Sequence, residues 1–195
     1  KLQEPAFSSV ILCSALHEFA TFALEHPERF NEPGVSPMQV AAKRVFGLAR
    51  TLLEPGGTLI VRDGIKLQSE LLNIRFKSPE LEATFWRFSD DFRPFKLEFM
   101  TQKNTYTIQA HHFYEFATKY FYLTNWNIEV GEIFGWASSQ ELEQLLHESG
   151  FIPETRKVYT IDFLAQKWAN AFEITEHTGK PFALPSTQII TARAA

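Results

Sequence analysis

The chain has 195 residues, of which 45% are hydrophobic and 22% charged, and its formal net charge at pH 7 is −4. This composition is typical of a globular protein, and the length allows one domain with a substantial core. The negative charge offers no general attraction to phosphate backbones, so nucleic acid is not indicated as a partner. Cys13 is the only cysteine, which excludes a disulfide framework and favours a reducing, cytoplasmic location. No segment has the roughly 18 consecutive apolar residues of a membrane-spanning helix, so no membrane partner is predicted.

The first predicted strand covers residues 7–14. It follows the opening "KLQEPAF", which has neither an initiator Met nor a signal-peptide pattern, and we interpret the chain as a piece of a longer protein. Residues 7–14 lack the apolar/polar alternation of a half-exposed strand and are predicted to be covered on both faces, as in a parallel sheet. A helical pattern follows over residues 16–26.

The second helix has clear boundaries in the sequence. Ser36 is a predicted N-cap and Pro37 suits the first turn, and the helix is expected to end at "EPGG", residues 54–57, where the glycines allow a sharp reversal. "TLIVRDG" is then a short buried strand ending in Asp63 and Gly64. Strand, helix and strand of this length form a parallel crossover unit.

Residues 65–135 are interpreted as an insertion that covers the substrate side of the fold. A helix is predicted over residues 78–92, a hairpin around residues 102–104, and an aromatic-rich helix over "AHHFYEFATKYFYLTNW".

The rest of the chain returns to a regular pattern. "SSQELEQLLHESGF" contains a capping box from Ser138 to Glu141 and a helix-ending Gly150. "TRKVYTIDF" and "STQIITARA" are the last predicted strands, and a helical stretch lies around residues 164–172. Neither an internal repeat nor a low-complexity linker occurs, so residues 1–195 are predicted to form a single domain.

The ordered pair "VILCSALHEF" and "LLEPGGTLIVRDG" resembles the second half of the class I S-adenosylmethionine-dependent methyltransferase fold. In that family the fourth strand ends beside the cofactor, an "L-x-P-G-G" turn precedes the fifth strand, and the last strand is antiparallel. The resemblance implies an α/β fold class, namely a partial Rossmann-like methyltransferase sheet holding the fourth to seventh strands, with the aromatic-rich helical and hairpin insertion added to it.

The resemblance also has implications for the cofactor, S-adenosylmethionine. Residues after the fourth strand border it in the family, and here they are Cys13, Ser14, Ala15 and Leu16. The family's N-terminal glycine-rich loop and ribose-binding acidic residue are missing, and no G-x-G pattern occurs in the chain. Glycines let a backbone approach the ligand, and a carboxylate can accept from two hydroxyls. The chain alone is therefore expected to bind the cofactor weakly or not at all.

Three polar residues follow the two predicted parallel strands and are the catalytic candidates: His17, Glu18 and Asp63. In an open α/β sheet the ligand crevice lies at the carboxyl ends of the strands. A neutral imidazole there could accept a proton from a hydroxyl or amine acceptor, with Glu18 orienting it or facing solvent and Asp63 orienting the substrate. The alternative is that His17 and Glu18 are ordinary first-turn residues of a helix and Asp63 a turn residue.

The aromatic-rich segment supplies the candidates for substrate binding. The group that could form a lid or wall consists of His111, His112, Phe113, Tyr120 and Trp126. Aromatic residues at helical spacing are also common in protein cores, which is the alternative interpretation. Adjacent histidines on a helix point in different directions, and no His, Asp or Glu constellation has ligand spacing, so no metal site is predicted.

The resulting hypothesis is the C-terminal part of a methyltransferase that transfers a methyl group to an unidentified acceptor, inactive as an isolated chain. Its implied partners are the missing N-terminal half of the same protein and the methyl acceptor. A homodimer is also expected, because an apolar strand over residues 8–14 without its neighbour is an aggregation edge. The alternatives are a non-catalytic methyltransferase-like binding or dimerisation module and a nucleotide-dependent oxidoreductase, the latter disfavoured because no G-x-G-x-x-G loop occurs.

Overall fold

The computed structural model describes residues 7–195, which divide into two compact units. The first unit comprises the described residues up to Ile65 together with Trp136–Val158 and Thr187–Ala195, and the second comprises Lys66–Gly135 and Tyr159–Ser186. Of the insertion predicted over residues 65–135, all but Ile65 falls within the second unit, which also includes a later segment of the chain. The assignment of residues 1–195 to a single domain stays a prediction.

Eight strands and seven α-helices are found in the described part of the chain. In chain order, they are β1 Phe7–Cys13, α1 Leu16–Glu25, α2 Pro37–Leu52, β2 Leu53–Asp63, β3 Leu71–Phe76, α3 Pro79–Asp91, β4 Phe99–Gln102, β5 Thr105–Gln109, α4 Ala110–Lys119, α5 Trp126–Glu129, α6 Ser139–Glu148, β6 Phe151–Tyr159, α7 Asp162–Ala171, β7 Phe172–Glu176 and β8 Thr187–Ala194. Short 3₁₀ helices cover Pro27–Phe30 and Leu123–Asn125. Among residues 7–195, none of these helices combines the length and apolarity needed to cross a bilayer.

The helix starts predicted from capping residues are confirmed. The Ser36 hydroxyl accepts from the Gln39 N–H at 3.3 Å, and α2 begins at Pro37 as expected. Ser138 and Glu141 form the predicted reciprocal capping box of α6. Because a cap satisfies backbone donors at the helix end, these local patterns fix where the helices begin.

The first sheet has the strand order β1-β2-β8-β6 and is mixed. β1 runs parallel to β2, with Val10 opposite Leu59, and β8 runs antiparallel to β2. Along β2, Leu59, Val61 and Asp63 alternate with more exposed residues and are all buried. Since side chains alternate between faces along a strand, these three point to the same side of the sheet.

Two predictions about this sheet are wrong. β1 is not covered on both faces, because Phe7 and Ile11, which share one face of the strand, are 52% and 63% exposed. β1 also lies at the edge of the described sheet. The "EPGG" segment is not a reversal between helix and strand, since β2 already starts at Leu53. Instead, the segment is an irregularity within β2: Phe7 pairs with Leu53 and Ser9 with Thr58, so extra residues bulge there, with Gly56 at φ +76°.

The second sheet has the strand order β4-β5-β3-β7 and its pairs are antiparallel. The hairpin predicted around residues 102–104 is confirmed as the β4–β5 turn, whereas β3 and β7 were missed. One face of the sheet is buried through Leu72, Ile74 and Tyr106. That face belongs to a core rich in aromatic side chains, which includes Phe85, Phe88, Phe92, Phe113, Phe116, Trp126, Trp168 and Phe172.

Candidate functional site

The candidate site lies in the first unit, where the parallel strands β1 and β2 end side by side. Ser14 leaves β1 in a left-handed conformation with φ 50°, and its N–H donates to the Arg62 carbonyl at 2.8 Å. This tight turn leads directly into α1, whose second residue is His17. The turn therefore brings the first turn of α1 next to Asp63, the last residue of β2.

His17 and Asp63 form a buried hydrogen-bonded pair. Nδ1 of His17 lies 2.7 Å from Oδ1 of Asp63, and the two residues are 8% and 3% exposed. An ionised carboxylate can only accept, so Nδ1 carries the proton of the neutral imidazole and Nε2 is the basic nitrogen. The pair was separated by 46 positions in the sequence and is brought together by the parallel pairing of β1 and β2.

The Asp63 carboxylate also accepts two backbone hydrogen bonds. The His17 N–H donates to Oδ2 at 3.2 Å, and the Gly64 N–H donates to Oδ1 at 2.8 Å. The N-cap position of α1 is Ala15, which has no side-chain acceptor, so Asp63 takes over this function from a distant part of the chain. A carboxylate is favoured there by the helix dipole as well.

Gln188 supports the strand that carries Asp63, and the sequence analysis missed it. It lies opposite Asp63 in the β2–β8 register, is 1% exposed, and donates from Nε2 to the Gly64 and Ala137 carbonyls, both at 2.9 Å. It thereby ties the end of β2 to the segment before α6. The sequence "STQIITARA" alone does not indicate a role for this amide. Gln188 could be identified only once the register of β8 against β2 was known.

The other candidates after β1 lie around the same turn. Cys13, Ser14 and Glu18 are exposed, Ala15 is half-buried, and Leu16 is buried in the core. Arg62 Nη1 donates to the Ser14 hydroxyl at 2.9 Å and lies 3.6 Å from the Cys13 sulfur. The cofactor-binding role of residues 13–16 and the catalytic role of Glu18 stay predictions.

The aromatic candidates all lie in the second unit. Phe113 and Trp126 are 0% and 4% exposed and belong to its core, and Tyr120 packs against the same cluster. His112 is also buried, and its Nδ1 accepts from the Glu98 N–H at 3.1 Å.

The adjacent His111 and His112 share an environment that favours the neutral imidazole. Burial lowers the pKa of both rings, and for His111 the neighbouring His112 lowers it further. Their substrate-binding role, like that of Phe113, Tyr120 and Trp126, stays a prediction.

A second buried charged pair, also missed from the sequence, lies on α4. Glu115 and Lys119 are 1% and 0% exposed and are bonded to each other. The Glu115 carboxylate also accepts from the N–H groups of Phe134 at 3.1 Å and Gly135 at 2.7 Å, and the Lys119 ammonium lies 4.0 Å from the centroid of the Phe134 ring. Burial lowers the pKa of Lys119. In the described part of the chain, no group of three or more His, Cys, Asp or Glu side chains could hold a metal ion.

The comparisons with known proteins gave matches only among solved structures, since no protein-family model and no curated protein matches the chain. A SAM-dependent methyltransferase from Methanosarcina mazei shares 12% identity at a TM-score of 0.40, over 100% of this chain and 63% of that one. The CcbJ methyltransferase from Streptomyces caelestis shares 14% identity at a TM-score of 0.36, over 100% and 64% of the two chains. The cyclase SpnF shares 11% identity at a TM-score of 0.37, over 98% and 50%.

The chain thus spans about 63% of the length of the Methanosarcina mazei protein. TM-scores of 0.36–0.41 are too low to assign a fold family or an activity to this chain.

Proposed function

We propose that this chain is the C-terminal part of an S-adenosylmethionine-dependent methyltransferase whose methyl acceptor is unidentified. The observation that carries the proposal is the 2.7 Å contact between His17 and Asp63 at the carboxyl ends of two adjacent parallel strands. In open α/β sheets, ligands bind outside these strand ends. The order β1-β2-β8-β6, with β8 antiparallel to β2, supports assigning the four strands to the fourth, fifth, seventh and sixth strands of that family's sheet.

The residues present fit only part of the cofactor. The turn at Ser14 is exposed and provides one wall beside the pair, but the 195 residues contain no G-x-G loop that would let the backbone approach a ligand closely. We therefore expect the remaining contacts to come from the N-terminal half of a longer protein. When bound, S-adenosylmethionine would supply the methyl group.

The chain's own contribution is to hold and move a proton. His17 would accept the proton of a hydroxyl or amine acceptor at Nε2, because Asp63 keeps the other ring nitrogen protonated. Asp63 would then stabilise the imidazolium that forms, and its two backbone hydrogen bonds keep the carboxylate fixed in that geometry. Gln188 would act as a positioning residue through the Gly64 carbonyl.

Calorimetric titration tests the cofactor assignment. S-adenosylmethionine and, separately, S-adenosylhomocysteine are titrated into this chain and into the longer parent protein. Binding by the parent, with weak or no binding by the chain, is the expected result. If neither protein binds either ligand, the methyltransferase assignment is wrong.

Substitutions in the parent protein test the role of the pair. His17→Gln and Asp63→Asn are each expected to lower kcat by roughly 100-fold or more, the usual contribution of a general base, while KM changes little. His26→Gln is the matched control, because His26 is an exposed histidine of the same unit, 3.7 Å from Glu28. Circular dichroism establishes that the variants are folded. Unchanged turnover in the folded variants would remove both residues from the mechanism.

A second candidate function, a non-catalytic dimerisation module, is favoured by the exposed edge strand. β1 exposes Phe7 and Ile11 at the end of the described sheet, where another strand could pair with it. This module would bind a second copy of the chain and would leave turnover of the parent insensitive to His17.

A further inference from the structure

A cavity of about 670 Å³, lined by residues with polar side chains, opens on the sheet of the second unit. We propose that it binds a small hydroxylated oxyanion, of the size and chemistry of a sugar phosphate. This site is separate from the proposed methyltransferase site, since every residue that lines it belongs to the second unit.

The cavity lies on the solvent-facing side of β3 and β5. Leu72 and Ile74 of β3 point into the core, so the alternating Asn73 and Arg75 point outward. Thr107 lies opposite Asn73 in the β3–β5 register, and its hydroxyl donates to the Asn73 side-chain oxygen at 2.9 Å. The floor of the cavity is therefore made of paired hydrogen-bonding side chains.

Arg75 is held in place over this floor. Its Nε donates to the Thr105 hydroxyl at 3.1 Å, and its Nη1 lies 4.0 Å from the carboxylate of Glu173, the residue opposite Arg75 in the β3–β7 register. These contacts engage Nε and Nη1 of the guanidinium. Because a guanidinium carries five donors in a rigid fork, the remaining N–H groups match the oxygens of a phosphate or carboxylate.

Two further basic side chains line the same cavity. Lys103 occupies the β4–β5 turn with φ 54°, a left-handed conformation that lysine rarely adopts, and His177 follows β7. A two-residue hairpin loop between the paired Gln102 and Thr105 requires a positive φ, and this turn places the Lys103 ammonium at the cavity. The lining includes no carboxylate, so the cavity is suited to an anion.

The rest of the lining selects the class of anion. Gln102, Asn104 and the two threonines offer amides and hydroxyls, which suit the hydroxyl groups of a polyol. The lining contains no aromatic or aliphatic side chain other than the His177 ring, so it has little to stack on a purine base. The volume lies within the range of sites for small organic ligands.

The experiment is a titration of the full chain followed by ¹⁵N–¹H NMR, with glucose 6-phosphate, glucuronate, inorganic phosphate and glucose as probes. We expect saturable shifts of the Asn73, Thr105 and Thr107 amides with glucose 6-phosphate, weaker ones with inorganic phosphate, and none with glucose. Equal shifts with glucuronate would support the oxyanion site and show that a carboxylate serves as well as a phosphate. Absence of saturation with every probe below about 10 mM would overturn the proposal.

Variants locate the binding. Arg75→Gln and Lys103→Gln are each expected to weaken glucose 6-phosphate binding by roughly tenfold, the typical effect of one charge-assisted hydrogen bond. The matched control is Arg156→Gln, which removes an exposed arginine that pairs with Glu143 in the first unit, and it should leave the affinity unchanged. Undiminished binding in both cavity variants, or glucose binding as tightly as glucose 6-phosphate, would also overturn the proposal.

Discussion

Breaking the buried Glu115–Lys119 pair should destabilise the protein asymmetrically, with loss of the carboxylate costing more than loss of the ammonium. Glu115 accepts from two backbone N–H groups in addition to Lys119, so Lys119→Met leaves the carboxylate with two donors. Glu115→Leu instead leaves two backbone donors without that acceptor and a fully buried ammonium without its nearest counter-charge.

The magnitudes follow from these contacts. Breaking a buried ion pair costs about 3–5 kcal/mol, and each orphaned buried donor costs about 1–3 kcal/mol. Lys119→Met should fall at the lower end, about 3 kcal/mol, because the remaining N–H groups still solvate the anion. Glu115→Leu should cost about 5 kcal/mol. The cost rises no further because Lys119 can lose its proton, and a neutral amine is less costly to bury than an unpaired ammonium.

Urea denaturation monitored by tryptophan fluorescence and by circular dichroism measures both free energies of unfolding. Lys180→Met is the matched control: it breaks an exposed Lys–Glu pair of the same sequence spacing in the same unit, and it should change stability by less than about 0.5 kcal/mol. A cost of Lys119→Met equal to or above that of Glu115→Leu would refute the reasoning that the backbone donors hold the carboxylate.

The same pair predicts a pH dependence. Burial lowers the pKa of Lys119 below its ordinary value of 10.5 in the folded protein. The unfolded chain therefore binds more protons between the two pKa values, and this residue's contribution to stability rises as the pH rises through that window. The urea midpoint of the wild type should therefore rise relative to that of Lys119→Met as the pH rises through this window. Parallel midpoints, or a wild-type midpoint that falls relative to the variant, would contradict the lowered pKa.

Three further predictions concern other parts of the chain. Ile11→Glu, which places a charge on the exposed edge of β1, should lower self-association in sedimentation equilibrium, and an unchanged mass distribution would argue against a dimer through β1. Burial, together with the hydrogen bond to Glu82, raises the pKa of Tyr106 to about 12, so ultraviolet titration of Glu82→Gln should show a lower value, and no change would exclude the hydrogen bond as a cause. Ser138→Ala removes the side-chain cap of α6 and should lower the free energy of unfolding, measured by urea denaturation, by about 1 kcal/mol. An unchanged free energy of unfolding would mean that another acceptor satisfies the Glu141 N–H.

Local signals accounted for the parts of the fold that the sequence predicted well. Ser36 and Pro37 set the start of α2, and Ser138 set the start of α6, because a cap depends on residues within one helical turn. β3 and β7 were missed although "LNIRF" and "FEIT" alternate apolar and polar residues, because strands of six and five residues give a weak local signal and are formed through the pairing of β3 with both β5 and β7.

The candidate site was predicted in part. Parallel pairing of two strands was enough to place His17 and Asp63 at the same sheet edge, and Glu18, expected either to orient His17 or to face solvent, is exposed on α1. The amide of Gln188 could not be predicted, because its two carbonyl partners lie 51 and 124 positions away along the chain.

By itself, the sequence determined where most helices begin, that the chain forms α/β structure, and that polar side chains follow β1 and β2. These features depend on neighbouring residues and on the periodicity of apolar side chains. Only the tertiary structure decided that Phe7 and Ile11 of β1 are exposed, that Asp63 caps α1 and orients His17, and that Glu115 and Lys119 are buried together. Burial and long-range hydrogen bonds depend on which strands and loops meet in space, and no local pattern encodes that choice.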